Sequence, residues 1–290
     1  MPQSFLFLPY KPDRRASILI ISLWAFATLS ILSLAVANFV FQQIRFANSY
    51  IRSTLSLPMA KSEVTLTFLR RQNDETPDYD SFAELSQEHQ QTLCDNLNYN
   101  YYYVDEGALI NINLASEALI ARLPGLNEEL AKKISESERR PFKLKEEILL
   151  VEGMNKDIFN QFKDLITVYG EGKININLVS SEVLSVLGLD SDLIDAIMSF
   201  RNEYIGPDGK QGTEDDGAFT NAGTILSDLR KFRSLTTEQE QQLLSIMSYL
   251  VVKSDYLRLN IIPQIKGKPG IHYSILLHPV DKKILFWQEF

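Results

Sequence analysis

The chain has 290 residues, 29 of them Lys or Arg and 37 Asp or Glu, for a formal charge of −8. With 45% apolar and 23% charged residues it is neither a disordered nor a collagen-like chain, and its acidity excludes a non-specific nucleic-acid binder, which needs a basic footprint. A single cysteine, Cys94, excludes an internal disulfide framework and a four-cysteine zinc site.

Residues 1–16 form a short leader carrying Lys11, Asp13, Arg14 and Arg15, and residues 16–44 then contain no charged side chain. Residues 17–41 as a helix extend about 37 Å, enough to cross a hydrocarbon core of about 30 Å. The basic flank predicts a single-pass membrane protein whose first sixteen residues stay cytoplasmic and whose remainder beyond the span is exported. The remaining 26 basic and 36 acidic residues leave that exported part at −10. A signal peptide has an apolar core of about 7–15 residues and a small-residue cleavage site, so a permanent anchor is the better reading. Ser22, Thr28, Ser30, Ser33 and Asn38 punctuate the span, and small, weakly polar residues of this kind allow close helix packing in lipid.

Val40, Ile44, Ala47, Ile51 and Leu55 recur at helical spacing and Pro58 offers a stop, so the helix is expected to occupy residues 17–57, a rod of about 60 Å. The run Arg14-Arg15-Ala16-Ser17-Ile18-Leu19-Ile20-Ile21-Ser22-Leu23-Trp24 resembles the prepilin-peptidase site of the type IV pilin superfamily, and within it the K family of type II secretion minor pseudopilins. The resemblance implies cleavage between Ala16 and Ser17, with methylation of the new N-terminus. Ala16 stands where glycine is usual. Most pilins carry glutamate at the fifth mature position, which here is Ile21; the K family characteristically lacks it, which implies a subunit with no neighbour above it.

The exported part contains a repeat: Ile110-Asn111-Ile112-Asn113-Leu114-Ala115-Ser116 returns as Ile174-Asn175-Ile176-Asn177-Leu178-Val179-Ser180. Asn113 or Asn177, or the serine that follows, is suited to cap a helix. Pro124-Gly125 then ends a short helix and residues 128–134 start another, a helix-hairpin-helix pattern with further hairpins at Gly153 and Gly188. DNA-binding hairpins read Gly-apolar-Gly; here the second glycine is Asn127, Asn155 and Asp190, followed by Glu128, Glu129 and Asp192. A structural helical domain is the better reading, with a membrane-anchored, competence-type DNA-binding protein as the alternative and a single-span periplasmic scaffold as a third.

Residues 206–217 hold four acids and four glycines, which suits calcium coordinated by oxygens on a flexible loop as well as it suits a solvated acidic turn. Asp208, Asp215 and Asp216 are the favoured ligands, with Glu214 and a carbonyl near Gln211. The resemblance favours calcium, since such loops recur in the K family. Residues 64–69, 101–104, 257–262, 273–277 and 284–287 are β-rich, and residues 81–97 are helix-like. Strands at both ends of a helical middle give an α+β fold: a pilin-like antiparallel head at 58–104 and 251–290, interrupted by an inserted α-helical domain at 105–250.

His89, His272 and His278 show no ligand spacing, no nucleophile or phosphate-loop motif occurs, and the chain does not read as an enzyme. By resemblance its partners are the minor pseudopilins I and J, with H and the major pseudopilin, the prepilin peptidase and the inner membrane. The mechanism implied is assembly at the tip of a periplasmic pseudopilus that moves folded proteins through the outer membrane.

Overall fold

A computed structural model describes residues 14–74, 76–85, 88–204, 216–265 and 267–290. The chain divides into two units, the first reaching Leu55 and the second running from Ser56 to Phe290. Helix α1 (Arg14–Gln72) contributes to both and is followed by α2 (Phe82–Leu85) and strands β1 (His89–Cys94) and β2 (Leu97–Asp105). The middle of the chain holds β3 (Ile110–Asn111), α3 (Glu117–Ile120), α4 (Glu128–Ser135), α5 (Lys156–Phe162), β4 (Ile166–Thr167), β5 (Ile174–Asn175), α6 (Ser181–Leu187), α7 (Ser191–Glu203), α8 (Ile225–Phe232), α9 (Thr237–Ile246) and β6 (Leu250–Val251). The end returns to strands β7 (Leu257–Ile265), β8 (Lys268–Pro269), β9 (Tyr273–His278) and β10 (Lys283–Glu289).

In the second unit one antiparallel sheet has the order β1-β2-β7-β9-β10, with β8 paired to β7. Strands β2 and β7 are adjacent, Asp105 opposite Leu257, although the whole helical segment lies between them in sequence. Their alternation puts Tyr99, Tyr101, Leu259 and Ile261 on one face with Tyr273, Ile275 and Leu277, against Met59, Ala60 and Val64 of α1. A second core, centred on Ile112, Ile120, Phe162, Ile176, Leu193 and Phe219, belongs to the helical segment. Besides its helices that segment holds two short parallel pairs, β3 with β4 and β5 with β6. The α+β class, with a long apolar N-terminal helix, is as the sequence predicts.

Two local expectations are corrected. Pro58 does not end the first helix, and residues 64–69, β-rich by composition, are its last turns. The buried positions Met59, Ala60, Glu63, Val64 and Thr67 fall at helical rather than alternating spacing. Burying that stripe on the sheet outweighs the few tenths of a kcal/mol by which β-branched residues disfavour helix. Proline at 58 removes one backbone donor, on an exposed side of the helix.

The second correction concerns residues 81–97, helix-like in sequence, which form α2, then β1 and the turn into β2. Asn96 takes the left-handed conformation (φ 66°) that a tight hairpin turn requires and asparagine tolerates.

Candidate functional site

Along α1 the apolar side chains have no cover. Ile18, Leu23, Trp24, Phe26 and Ile31 are each about two-thirds exposed, and an 18-residue window of mean hydropathy 2.3 has none of its residues buried. By length and composition this helix can cross a membrane. Two of its hydroxyls are satisfied within the helix, Ser22 donating to the carbonyl of Leu19 at 2.9 Å and Thr28 to that of Ala25 at 3.0 Å, as a lipid environment demands. Ala16 and Ser17 lie in the first turns of this helix, and Ile21 is 65% exposed on the uncharged run. Further along, Ile44, Phe46, Tyr50, Ile51 and Leu55 continue the exposed apolar surface.

The helical segment is built from the repeat. Ser116 and Ser180 cap α3 and α6, accepting from the amides of Leu119 and Val183 at 3.3 Å in both cases. Asn113 and Asn177 do not cap; their side chains clamp distant backbone. The Asn113 amide donates to the carbonyls of Phe142 (2.9 Å) and Val168 (3.3 Å) and its oxygen accepts from the Phe142 amide. Asn177 repeats this with Phe219 (2.9 Å) and Val252 (3.3 Å). Arginines complete both copies: Arg140 donates to the carbonyl of Ala115 and Arg201 to that of Val179, the matching position. Burial pushes the Arg201 guanidinium down to about 10.

The hairpins share one construction. Gly125, Gly153 and Gly188 have φ of 77°, 89° and 95°, a region that penalises any Cβ. Two residues later Asn127, Asn155 and Asp190 cap α4, α5 and α7, accepting from Leu130, Ile158 and Leu193 at 2.8, 2.9 and 2.8 Å. The residues that replace the second hairpin glycine therefore satisfy first-turn amides of their own helices. A phosphate approaching those amides meets the cap, and at each of the three hairpins a first-turn carboxylate as well, of Glu128 and Glu129, of Asp157 or of Asp192.

Asp208, Gln211, Glu214 and Asp215 of the glycine-rich loop lie outside the described residues. Asp216 is described and half-buried. The neck of the loop is closed by the Gly217 amide, which donates to the carbonyl of Tyr204 at 2.9 Å. Gly217 has φ of 60°, and a Cβ there would lie 1.8 Å from the carbonyl oxygen of Arg201, so only glycine fits. Among the described residues no group of three or more His, Cys, Asp or Glu is arranged to hold a metal. The three histidines sit apart: His89 stacks on Tyr101, His272 on Phe290, and His278 faces Asp281.

A family model described as a helix-hairpin-helix motif matches residues 105–167. No curated protein matches the chain. Among solved structures the chain is similar to the GspK-GspI-GspJ complex from the type 2 secretion system of enterotoxigenic Escherichia coli, with a TM-score of 0.57 and 14% identity. The likeness covers 86% of this chain and 99% of the matched one. At that identity it is a likeness of fold.

Proposed function

We propose that this chain is a minor pseudopilin of the K type in a type II secretion system, working by assembly and not by catalysis. The observation that carries the reading is the combination of an uncovered apolar helix with an antiparallel sheet interrupted by helical repeats. The fold likeness to the matched chain of the GspK-GspI-GspJ complex, over 86% of this chain and 99% of that one, supports it.

In this reading α1 sits in the inner membrane with the N-terminus cytoplasmic and residues beyond the span periplasmic, as the basic flank favours. Prepilin peptidase cuts between Ala16 and Ser17 and the new terminus is methylated. The exposed apolar surface of α1 then packs beside the corresponding helices of pseudopilins I and J, with H and the major pseudopilin below. The helical insert at 105–250 and the absence of an acid at Ile21 fit a tip position, where no further subunit is added above. The 206–217 loop holds calcium through Asp208, Gln211, Glu214, Asp215 and Asp216, stapling a segment whose neck is closed by Gly217 and Tyr204. The family-model match does not favour a DNA-binding reading, because acidic hairpins repel phosphate.

Co-expression with pseudopilins I and J from the same genome, followed by purification through a tag on this chain, tests the proposal. A complex containing all three is expected. Recovery of I bound to J without this chain overturns it.

A further inference from the structure

Asn111 and Asn175 occupy the same place in the two repeats, yet their amide groups point to different partners. Both accept on Oδ1 from the backbone amide two residues on, Asn113 at 2.9 Å and Asn177 at 3.1 Å. Asn111 Nδ2 donates within its own repeat, to the carbonyls of Tyr169 (2.9 Å) and Gly170 (2.8 Å). Asn175 Nδ2 instead donates to two carboxylates, Oδ2 of Asp80 and Oδ2 of Asp105, each at 3.0 Å. Asp105 ends β2 of the sheet, and Asp80 lies just before α2. The second repeat has turned an internal brace outward, onto the segments that flank the sheet.

The cluster is dry. Asp80 and Asn175 have no exposed surface, and Asp105 and Ser254 are 7% and 5% exposed. Asp80 accepts from the Ser254 amide at 2.8 Å and pairs with Arg71 at 2.6 Å; Asp105 accepts from the Gly107 amide at 2.7 Å and is hydrogen-bonded to the Ser254 side chain. The charges around it also have partners outside the cluster. Arg71 also binds Asp74, and Lys253 attracts Asp80 while its ammonium donates to the Pro77 carbonyl. Glu106, next to Asp105, faces Thr167 and Arg258. Two carboxylates thus share one amide group, with one guanidinium on the Asp80 side.

We propose that Asp80, Asp105 and Asn175 form a proton-sensitive latch fastening the second repeat to the sheet, tight when the carboxyl pair holds a proton and loosened when both groups are ionised. Burial raises both carboxyls; at Asp80 it prevails over Arg71, Ser254 and Lys253, and at Asp105, joined by the Asp80 charge, it prevails over the hydrogen bonds from Ser254, Gly107 and Asn175 that favour the ionised form, so that Asp105 is pushed up to about 7. Protonated, Asp105 becomes a hydroxyl donor with the Ser254 side chain in reach; ionised, it faces Asp80 across a single amide in a low dielectric. The sign follows from linkage. The folded state binds a proton that the unfolded chain releases near pH 3.8, so the stabilisation is complete below that value and is lost as pH rises through about 7.

The test uses the full chain in detergent micelles, titrated from about pH 5 to about pH 8 across this window. A protonated-carboxyl infrared band is expected at the acid end and absent at the alkaline end. Hydrogen-exchange protection at the Gly107 and Ser254 amides, corrected for intrinsic rates, is expected to fall by up to about tenfold per pH unit, the slope of one linked proton. Asp105→Asn, a neutral mimic of the protonated state, removes the band and keeps protection high throughout. Absence of the band in the parent at the acid end overturns the latch, as does an Asp105→Asn chain that keeps the parent's slope. Should that variant fail to fold, the infrared titration of the parent decides alone.

Discussion

Tyr99 of β2 donates its hydroxyl to the carboxylate of Glu63 on α1 at 2.7 Å, and that carboxylate has no exposed surface. The other carboxylate oxygen takes the Arg70 guanidinium, so a buried charge is satisfied from two elements. The same environment holds the Tyr99 phenol well above its ordinary value, through burial and then the Glu63 hydrogen bond. Tyr99→Phe removes one partner and leaves the ion pair; it is expected to cost about 1–2 kcal/mol. Glu63→Ala strands a buried hydroxyl but frees Arg70 to water, for about 2–3 kcal/mol. Urea midpoints at unchanged slope measure both, and a Tyr99→Phe chain as stable as the parent shows that the hydroxyl contributes nothing.

The caps of the hairpins give a second prediction. Asn127→Ala, Asn155→Ala and Asp190→Ala each leave a first-turn amide unpaired and are expected to cost about 1 kcal/mol, whereas glycine at the same positions costs a few tenths. The glycine variants also restore the Gly-apolar-Gly spelling of DNA-binding hairpins. With Glu128, Glu129 and Asp192 still in place, a low-salt gel shift is expected to show no binding, and a retarded band in the triple glycine variant shows that the caps alone had been blocking phosphate.

The features carried by local pattern were legible in the sequence: the uncharged helix, the Ile-Asn-Ile-Asn repeat, the hairpin glycines and the closing strands. What was not legible depended on distant partners. Residues 64–69 look like a strand until the sheet they cover is known, because only Tyr99, Tyr101 and Leu259 make a helical stripe at Met59, Ala60 and Val64 worth burying. Residues 81–97 conceal a hairpin because its turn, Asp95-Asn96, lacks glycine and relies on asparagine at positive φ. Asn113 and Ser116 are both plausible caps by spacing; the choice is made by Phe142 and Val168, far along the chain, which claim the asparagine. The different use of Asn175 is invisible in a repeat that spells Asn111 identically, since Asp80 and Asp105 come from outside it.

If the 206–217 loop holds calcium, as proposed, the ion has a direct thermal consequence. A ligand at about 100 times its dissociation constant adds about 2.7 kcal/mol to the folded state, or about 5–10 °C for a domain of this size. Chelation with EGTA is expected to lower the midpoint by that amount, and Asp215→Asn with Asp216→Asn is expected to remove the response. The neck bond between Gly217 and Tyr204 gives an independent readout, since its amide should exchange faster once the ion is withdrawn. An unchanged midpoint with EGTA rejects the site and leaves a solvated turn.

Ile21 offers a test of the proposed tip position. If the chain stands at a tip, as proposed, a carboxylate at this position finds only lipid and the apolar side chains of α1, where an ionised acid costs several kcal/mol; a neighbour above would offer it a free amine. Ile21→Glu is therefore expected to reduce recovery of the chain with pseudopilins I and J and to reduce secretion, while Ile21→Leu leaves both unchanged. The contrast between the two variants separates charge from side-chain size, because Ile21 is exposed on the helix and leucine fits there without repacking. If Ile21→Glu assembles and secretes as the parent does, the tip argument from this position loses its support.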